Sequence, residues 1–215
     1  MICAVVGEKG GTGKSIIATS LAGLRAASGR DVLLIDTDTQ GSASGWQAVR
    51  SGNEKLAKVH CIAKFGKTLS TEVKDLASRY QDIVIDAGGR DSVEMRAAML
   101  VAEVAVLPFQ PATFDLWTVR KMHELLEMGA TYNPNIRALA VINQGETNAF
   151  NTDFADALEL IQEFPGIELL EKAICKRLAF KRAAREGMTV VEFENDPESK
   201  AVREITRLYK AVFAD

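Results

Sequence analysis

Apolar and polar residues fall along this chain in blocks of two kinds. Short runs dominated by aliphatic residues occupy 2–6, 31–35, 58–62, 82–86, 103–107, 137–142 and 167–173. A continuous apolar run of that length suits a strand covered on both faces. Between these runs, apolar residues recur at helical spacing near 14–28, 69–79, 92–101, 113–128, 152–163, 178–186 and 198–213. Gly29 and Gly187 stand where helix C-caps belong, and Pro165-Gly166 separates a helix from a strand. Strands alternating with helices predict an α/β fold, a doubly wound and mostly parallel sheet flanked by helices on both faces. With no repeat, low-complexity tract or linker, residues 1–215 read as a single domain. No helix-turn-helix domain is expected ahead of the first strand.

Ligands of such sheets bind at the carboxyl ends of the strands. There, directly after the first apolar run, stands Glu8-Lys9-Gly10-Gly11-Thr12-Gly13-Lys14-Ser15. Glycines let backbone N–H groups converge on one point, and the following helix adds its positive dipole end. The loop is a phosphate cradle formed by Lys9, Gly10, Gly11, Thr12, Gly13, Lys14, Ser15 and Ile16. Lys14 is expected to reach the outer phosphates, and the Ser15 hydroxyl to ligate Mg²⁺. The ordinary phosphate-loop pattern asks for glycine where Glu8 stands, and this chain offers a second lysine, Lys9, beside it.

Two further strand ends carry acids. Asp36 and Asp38 follow the second strand at i, i+2 and point the same way if strand geometry persists. Beside a triphosphate they hold the metal and orient the attacking water, where otherwise they would be turn aspartates. Asp82-Ile-Val-Ile-Asp86 runs into an acid suited to contacting Mg²⁺ through water, and Asp91 or Ser92 is the expected N-cap of the next helix. Residues 172–185 hold Lys172, Lys176, Arg177, Lys181, Arg182 and Arg185 and no acid, in a chain whose net charge is −3. A run of this kind is either a solvated helix face or a phosphate-binding patch.

The form Lys9-Gly-Gly-Thr-Gly-Lys14-Ser15 resembles the deviant Walker A motif of the ParA/MinD family of P-loop ATPases, and small plasmid-partition ParA-type proteins in particular. The later motifs follow in the family's order. Asp36-Thr37-Asp38-Thr39-Gln40-Gly41 resembles its switch I, with Thr39 in place of the usual proline, a loosening change because proline would fix φ. Residues 82–86 resemble Walker B, and Ala87-Gly88-Gly89-Arg90-Asp91 stands at switch II. The resemblance implies ATP and Mg²⁺ as ligands. It implies Lys9, Lys14 and Asp38 as catalytic residues, with Ser15, Asp36 and Asp86 at the metal. Asn143 is similar to the adenine-reading residue of the family, or else a turn asparagine. Asp115, after Thr113 as a helix N-cap, lies where the family places its dimer interface.

Function follows from the same resemblance. ATP would close a homodimer, each Lys9 reaching the partner's nucleotide. The basic residues from Lys172 to Arg185 would bind DNA without sequence preference. A ParB-like cargo adaptor would stimulate slow hydrolysis, and the expected cargo is a plasmid. Alternatives are a MinD-like membrane-positioning ATPase, a related ATPase positioning a protein cargo, or an ATP-dependent ligase on the same scaffold. The C-terminal helix is amphipathic and basic, but it is better spent covering the sheet than lying on lipid, so no membrane partner is expected. Three scattered cysteines give neither a disulfide framework nor a cluster and fit a reducing cytoplasm. No signal peptide or membrane-length apolar run is expected, so the protein should be cytoplasmic and nucleoid-associated.

Overall fold

The computed structural model describes residues 1–111, 116–147 and 153–213. The first half of the chain runs β1 (Ile2–Val5), α1 (Lys14–Ala27), β2 (Val32–Asp36), α2 (Ser42–Ser51), β3 (His60–Ala63), α3 (Leu69–Leu76), β4 (Asp82–Asp86) and α4 (Val93–Met99). The second half runs β5 (Val104–Phe109), α5 (Leu116–Ala130), β6 (Arg137–Gly145), α6 (Asp153–Ile161), β7 (Ile167–Leu169), β8 (Ile174–Cys175), α7 (Leu178–Arg185), α8 (Val190–Glu194) and α9 (Lys200–Phe213). The strands form one sheet in the order β3-β2-β4-β1-β5-β6-β7, with β8 added to the far end of β6. Every pairing is parallel. Two apolar cores sandwich the sheet, one under α1, α2, α7 and α9 and the other under α3 to α6. Strands β2, β4 and β5 are buried along their whole length, which is why they read as unbroken apolar runs.

Register brings the site together. Asp36 pairs with Asp86, and Asp86 with Val5, so β1, β2 and β4 end abreast at one edge of the sheet. The phosphate loop and both acidic turns leave from that edge.

The elements depart from the sequence expectation in three places. Helix α2 was not expected, because Ser42-Ala-Ser-Gly-Trp-Gln is a poor helix former. Tertiary contacts hold it instead: Ala43 and Trp46 are buried, and Arg50 is 2% exposed. Helix α8 was also missed, although Thr189 and Glu192 form a complete capping box. The expected strand 167–173 is two strands, since β7 ends at Leu169 and β8 rejoins β6 past a register shift. Gly187 does cap α7, with φ 65°, and a Cβ there would lie 2.4 Å from the Arg50 backbone nitrogen. Ser92 supplies the N-cap of α4 through the Met95 N–H. Thr113 and Asp115 lie outside the described residues.

Candidate functional site

The loop between β1 and α1 enters the helix through Gly13, whose φ of 87° is left-handed. A Cβ at that position would fall 2.3 Å from Asn143 Nδ2, so only glycine fits there. Lys14 is buried, and its ammonium donates to the Lys9 carbonyl at 3.0 Å. Burial lowers its proton affinity, and the nearby carboxylates of Asp86 and Asp38 partly restore it. Lys9 is half-exposed on the same loop.

Glu8, at the position where the common pattern has glycine, turns its carboxylate to Lys121 on α5. Its carbonyl accepts the Arg90 N–H at 2.6 Å. The departure at Glu8 thus ties the loop to α5 through its side chain, while its backbone carbonyl, which any residue would offer, meets the turn after β4.

The acids play unequal parts. Asp86 is almost fully buried, and neither carboxylate oxygen has a hydrogen-bond partner of good geometry. Burial pushes its carboxyl up to about 7, and Asp36 and Asp38 push the same way, while Ser15 and Lys14 pull against them. A buried, unsatisfied carboxylate beside a hydroxyl and an ammonium is a donor set that fits Mg²⁺. Asp36 differs: its two oxygens accept the N–H groups of Asp38 at 3.1 Å and Ser44 at 2.8 Å. That carboxylate fastens switch I to the first turn of α2, so Asp36 holds the turn in place beside the cleft. Asp38 is only half-buried, accepts the Gln40 N–H at 2.9 Å, and lines the cleft with Lys14 and Ser15. Thr37 bridges the two acidic turns, its hydroxyl donating to the Asp86 carbonyl and accepting from the Gly88 N–H.

Three side-chain amides grip the loop from the far side. Asn143 Nδ2 donates to the Thr12 carbonyl at 2.6 Å, and Gln144 and Gln110 donate to the Gly11 carbonyl at 2.8 and 2.7 Å. Asn143 is no turn residue, because β6 runs on to Gly145. Gln110 and Gln144 carry no signal along the chain beyond their place at the ends of β5 and β6. The phosphate cleft, of about 650 Å³, shares Gly13, Ile16 and Gln144 as lining residues with a neighbouring, largely apolar pocket. That pocket is lined by Ile16, Ile174, Phe180 and Ile205, with Asn143 at its edge. A polar cleft beside an apolar slot is an arrangement that suits a nucleotide, phosphates in the one and base in the other.

The basic segment divides. Lys172, Lys176, Lys181, Arg182 and Arg185 are exposed, the last three on α7, whose opposite face buries Phe180 and Ala183. Arg177 differs from these in being only partly exposed. Its guanidinium is held by Glu204 of α9 through contacts of 2.6 to 3.1 Å, an ion pair that joins the two helices. Among the described residues no helix is long and apolar enough to cross a membrane.

A parallel sheet with a glycine-rich loop at its carboxyl edge, a cation inside the loop and a bare carboxylate beside it defines a P-loop nucleotide-binding protein. A family model described as the CobQ/CobB/MinD/ParA nucleotide binding domain matches residues 3–190. The chain belongs to that family, and it is an ATPase of the ParA/MinD type. It is 26% identical to maintenance of carboxysome distribution protein A of Halothiobacillus neapolitanus, over 88% of this chain and 86% of that protein. It is 29% identical to the chromosome-partitioning ATPase Soj of Thermus thermophilus, over 65% of this chain and 67% of that protein. Among solved structures, an ATP complex of McdA from Cyanothece has the same fold, with TM-score 0.80 at 16% identity over 99% of this chain and 96% of that one.

Proposed function

We propose that this chain is a nucleotide-gated positioning ATPase that closes into a homodimer on ATP and coats DNA without sequence preference. The observation that carries the proposal is the placement of an exposed basic helix, α7, against the apolar slot beside the phosphate cleft. Phe180 and Lys181 of that helix line the slot itself. A base seated there would bear on α7, so nucleotide state and the basic surface share one element.

Within the cleft, Lys14 stabilises negative charge on the phosphates, and Ser15 and Asp86 would hold the metal, which would supply charge neutralisation there. Asp38 accepts a proton from, or orients, the attacking water. Lys9 reaches across to the partner's nucleotide. Asn143 and Gln144 hold the loop in shape and face the base. Intrinsic turnover is slow until an adaptor, ParB-like in role, completes the arrangement.

The cargo is a plasmid or a protein assembly. Relatives named for carboxysome distribution and for chromosome partitioning support either, and those named for carboxysomes favour a protein cargo. A membrane-positioning role has less support, because the apolar face of α9 (Val202, Ile205, Leu208, Val212, Phe213) is buried against the sheet.

Fluorescence anisotropy of a random-sequence duplex tests the proposal, with ATP-Mg²⁺, ADP or no nucleotide across a salt series. Binding only with ATP, falling with salt at a log–log slope of roughly −0.9 per phosphate contact, is the expected result. Absence of binding in every nucleotide state, with lipid vesicles bound instead, would replace DNA by membrane as the surface.

A further inference from the structure

The turn after β4 carries a cation to which the phosphate-loop assignment gives no task. Arg90 follows Gly88-Gly89 and has a φ of 86°, left-handed backbone that a side chain with a Cβ disfavours. What holds it there is its N–H, donated to the Glu8 carbonyl of the phosphate loop. The effect of that backbone is one of place: Arg90 lines the cleft together with Lys14, Ser15 and Asp38. Gly89 is pressed to the loop, since a Cβ on it would lie 3.4 Å from both Lys14 Nζ and the Gly10 nitrogen. The turn that carries Arg90 is therefore set against the part of the loop that holds the Lys14 ammonium.

The acids next to Arg90 are already taken. Asp91 is gripped in bidentate fashion by Arg96, at 2.6 and 2.7 Å. Glu8 is paired with Lys121. The Arg90 guanidinium is exposed and has no ion pair among the described residues. A planar cation without a carboxylate partner, facing a phosphate cleft, is suited to forked contact with phosphate oxygens.

We infer that Arg90 is a phosphate-binding residue that reads the terminal phosphate of ATP, carried on a switch that pivots at Gly88-Gly89. The inference rests on the assignment of the cleft to nucleotide. Contact with the terminal phosphate offsets the strained backbone at Arg90. Loss of that phosphate removes the contact and leaves the turn tied to the loop by the Arg90 N–H alone, so that the strained backbone is held less firmly. In this way a single side chain reports whether the bound nucleotide is ATP or ADP to the turn leading into α4.

Titration calorimetry with Mg²⁺ and either ATPγS or ADP tests this on the wild type and on Arg90→Ala, Arg90→Lys and Arg90→Gly. The alanine and glycine variants should lose about tenfold or more in ATPγS affinity, the usual worth of a charge-assisted contact, and keep ADP affinity within about twofold. The lysine variant should retain part of the difference. Arg90→Gly relieves the left-handed strain and should melt no lower than the wild type, so that its loss of affinity is not a folding defect. Unchanged ATPγS binding in the alanine variant, or an equal loss for ATPγS and ADP, would overturn the role of Arg90 while leaving the cleft assignment standing. Failure of the wild type to bind either nucleotide would overturn the cleft assignment and this inference with it.

Discussion

At the scale of single residues, chemistry is decided by which partners a side chain has. Strand β4 is bracketed by Asp82 and Asp86, equivalent on paper and opposite in the fold. Asp82 receives Arg25 at 2.9 Å, Arg30 at 3.0 Å and the N-terminal ammonium at 3.4 Å. Asp86 receives no such partner. A buried carboxylate without a partner destabilises the protein until a cation arrives. Asp86→Asn should therefore raise the melting temperature of the metal-free protein by a few degrees, on the order of 1–2 kcal/mol, while abolishing the extra stabilisation that Mg²⁺ adds to ATP. Differential scanning calorimetry with and without Mg²⁺-ATP measures both effects, and a lower metal-free melting temperature would contradict the first. The acids after β2 were legible as a pair from their spacing. Their division of labour was not, because Asp36 is defined by two backbone N–H groups that only the folded turn supplies.

At the scale of elements, α2 transmits position across the molecule. It begins at switch I, where Asp36 holds the Ser44 N–H, and ends at Arg50. Arg50 donates to the carbonyls of Ala57 and Gly187 and forms a two-pronged pair with Glu192 at 2.6 and 2.9 Å. One turn earlier, Trp46 donates to the Met188 carbonyl. The switch end of α2 is thereby linked to the segment after the basic helix α7. Arg50→Ala leaves Glu192 half-buried and unpaired and should cost about 3 kcal/mol, read as a lower denaturant midpoint.

The pH dependence of that element follows from Glu192. Burial opposes its ionisation, but Arg50 and the Thr189 N–H outweigh it and hold its carboxyl below the ordinary glutamate value. A depressed carboxyl stabilises above the unfolded-state pKa of about 4.5 and loses that contribution as pH falls through the folded value. The gap between wild type and Arg50→Ala should therefore be full near neutral pH and narrow below about pH 4. A gap that stayed constant down to pH 3 would assign the loss to packing on Trp46 instead. This helix was missed in the sequence because its glycine and serines carry no propensity signal. Much of what holds it comes from Gly187, Met188 and Glu192, more than a hundred positions away.

At the scale of the whole molecule, the predictions concern surfaces. Lys181→Glu with Arg185→Glu reverses charge on the exposed face of α7 and should reduce ATP-dependent duplex affinity at least tenfold, with little change in melting temperature. Arg177→Ala should do the opposite, lowering stability through the orphaned Glu204 more than it lowers DNA affinity. Anisotropy and thermal melts on the same samples separate the two, and equal DNA losses would return Arg177 to the patch. Lys9→Ala should spare monomer binding of ATP and prevent the ATP-dependent rise in mass by light scattering. A dimer formed as readily by that variant would remove Lys9 from the interface. The sequence by itself determined the layered parallel architecture, since runs buried on both faces and helices buried on one have different periods. It also determined the phosphate loop, whose glycines and lysines are contiguous and so need no fold to be seen together. Only the tertiary structure decided which carboxylate is bare and which is spent, which arginine of the basic segment faces solvent, and that Arg90 stands at the cleft. Each of these depends on the partners a side chain meets across the fold, and such pairings leave no periodic trace along the chain.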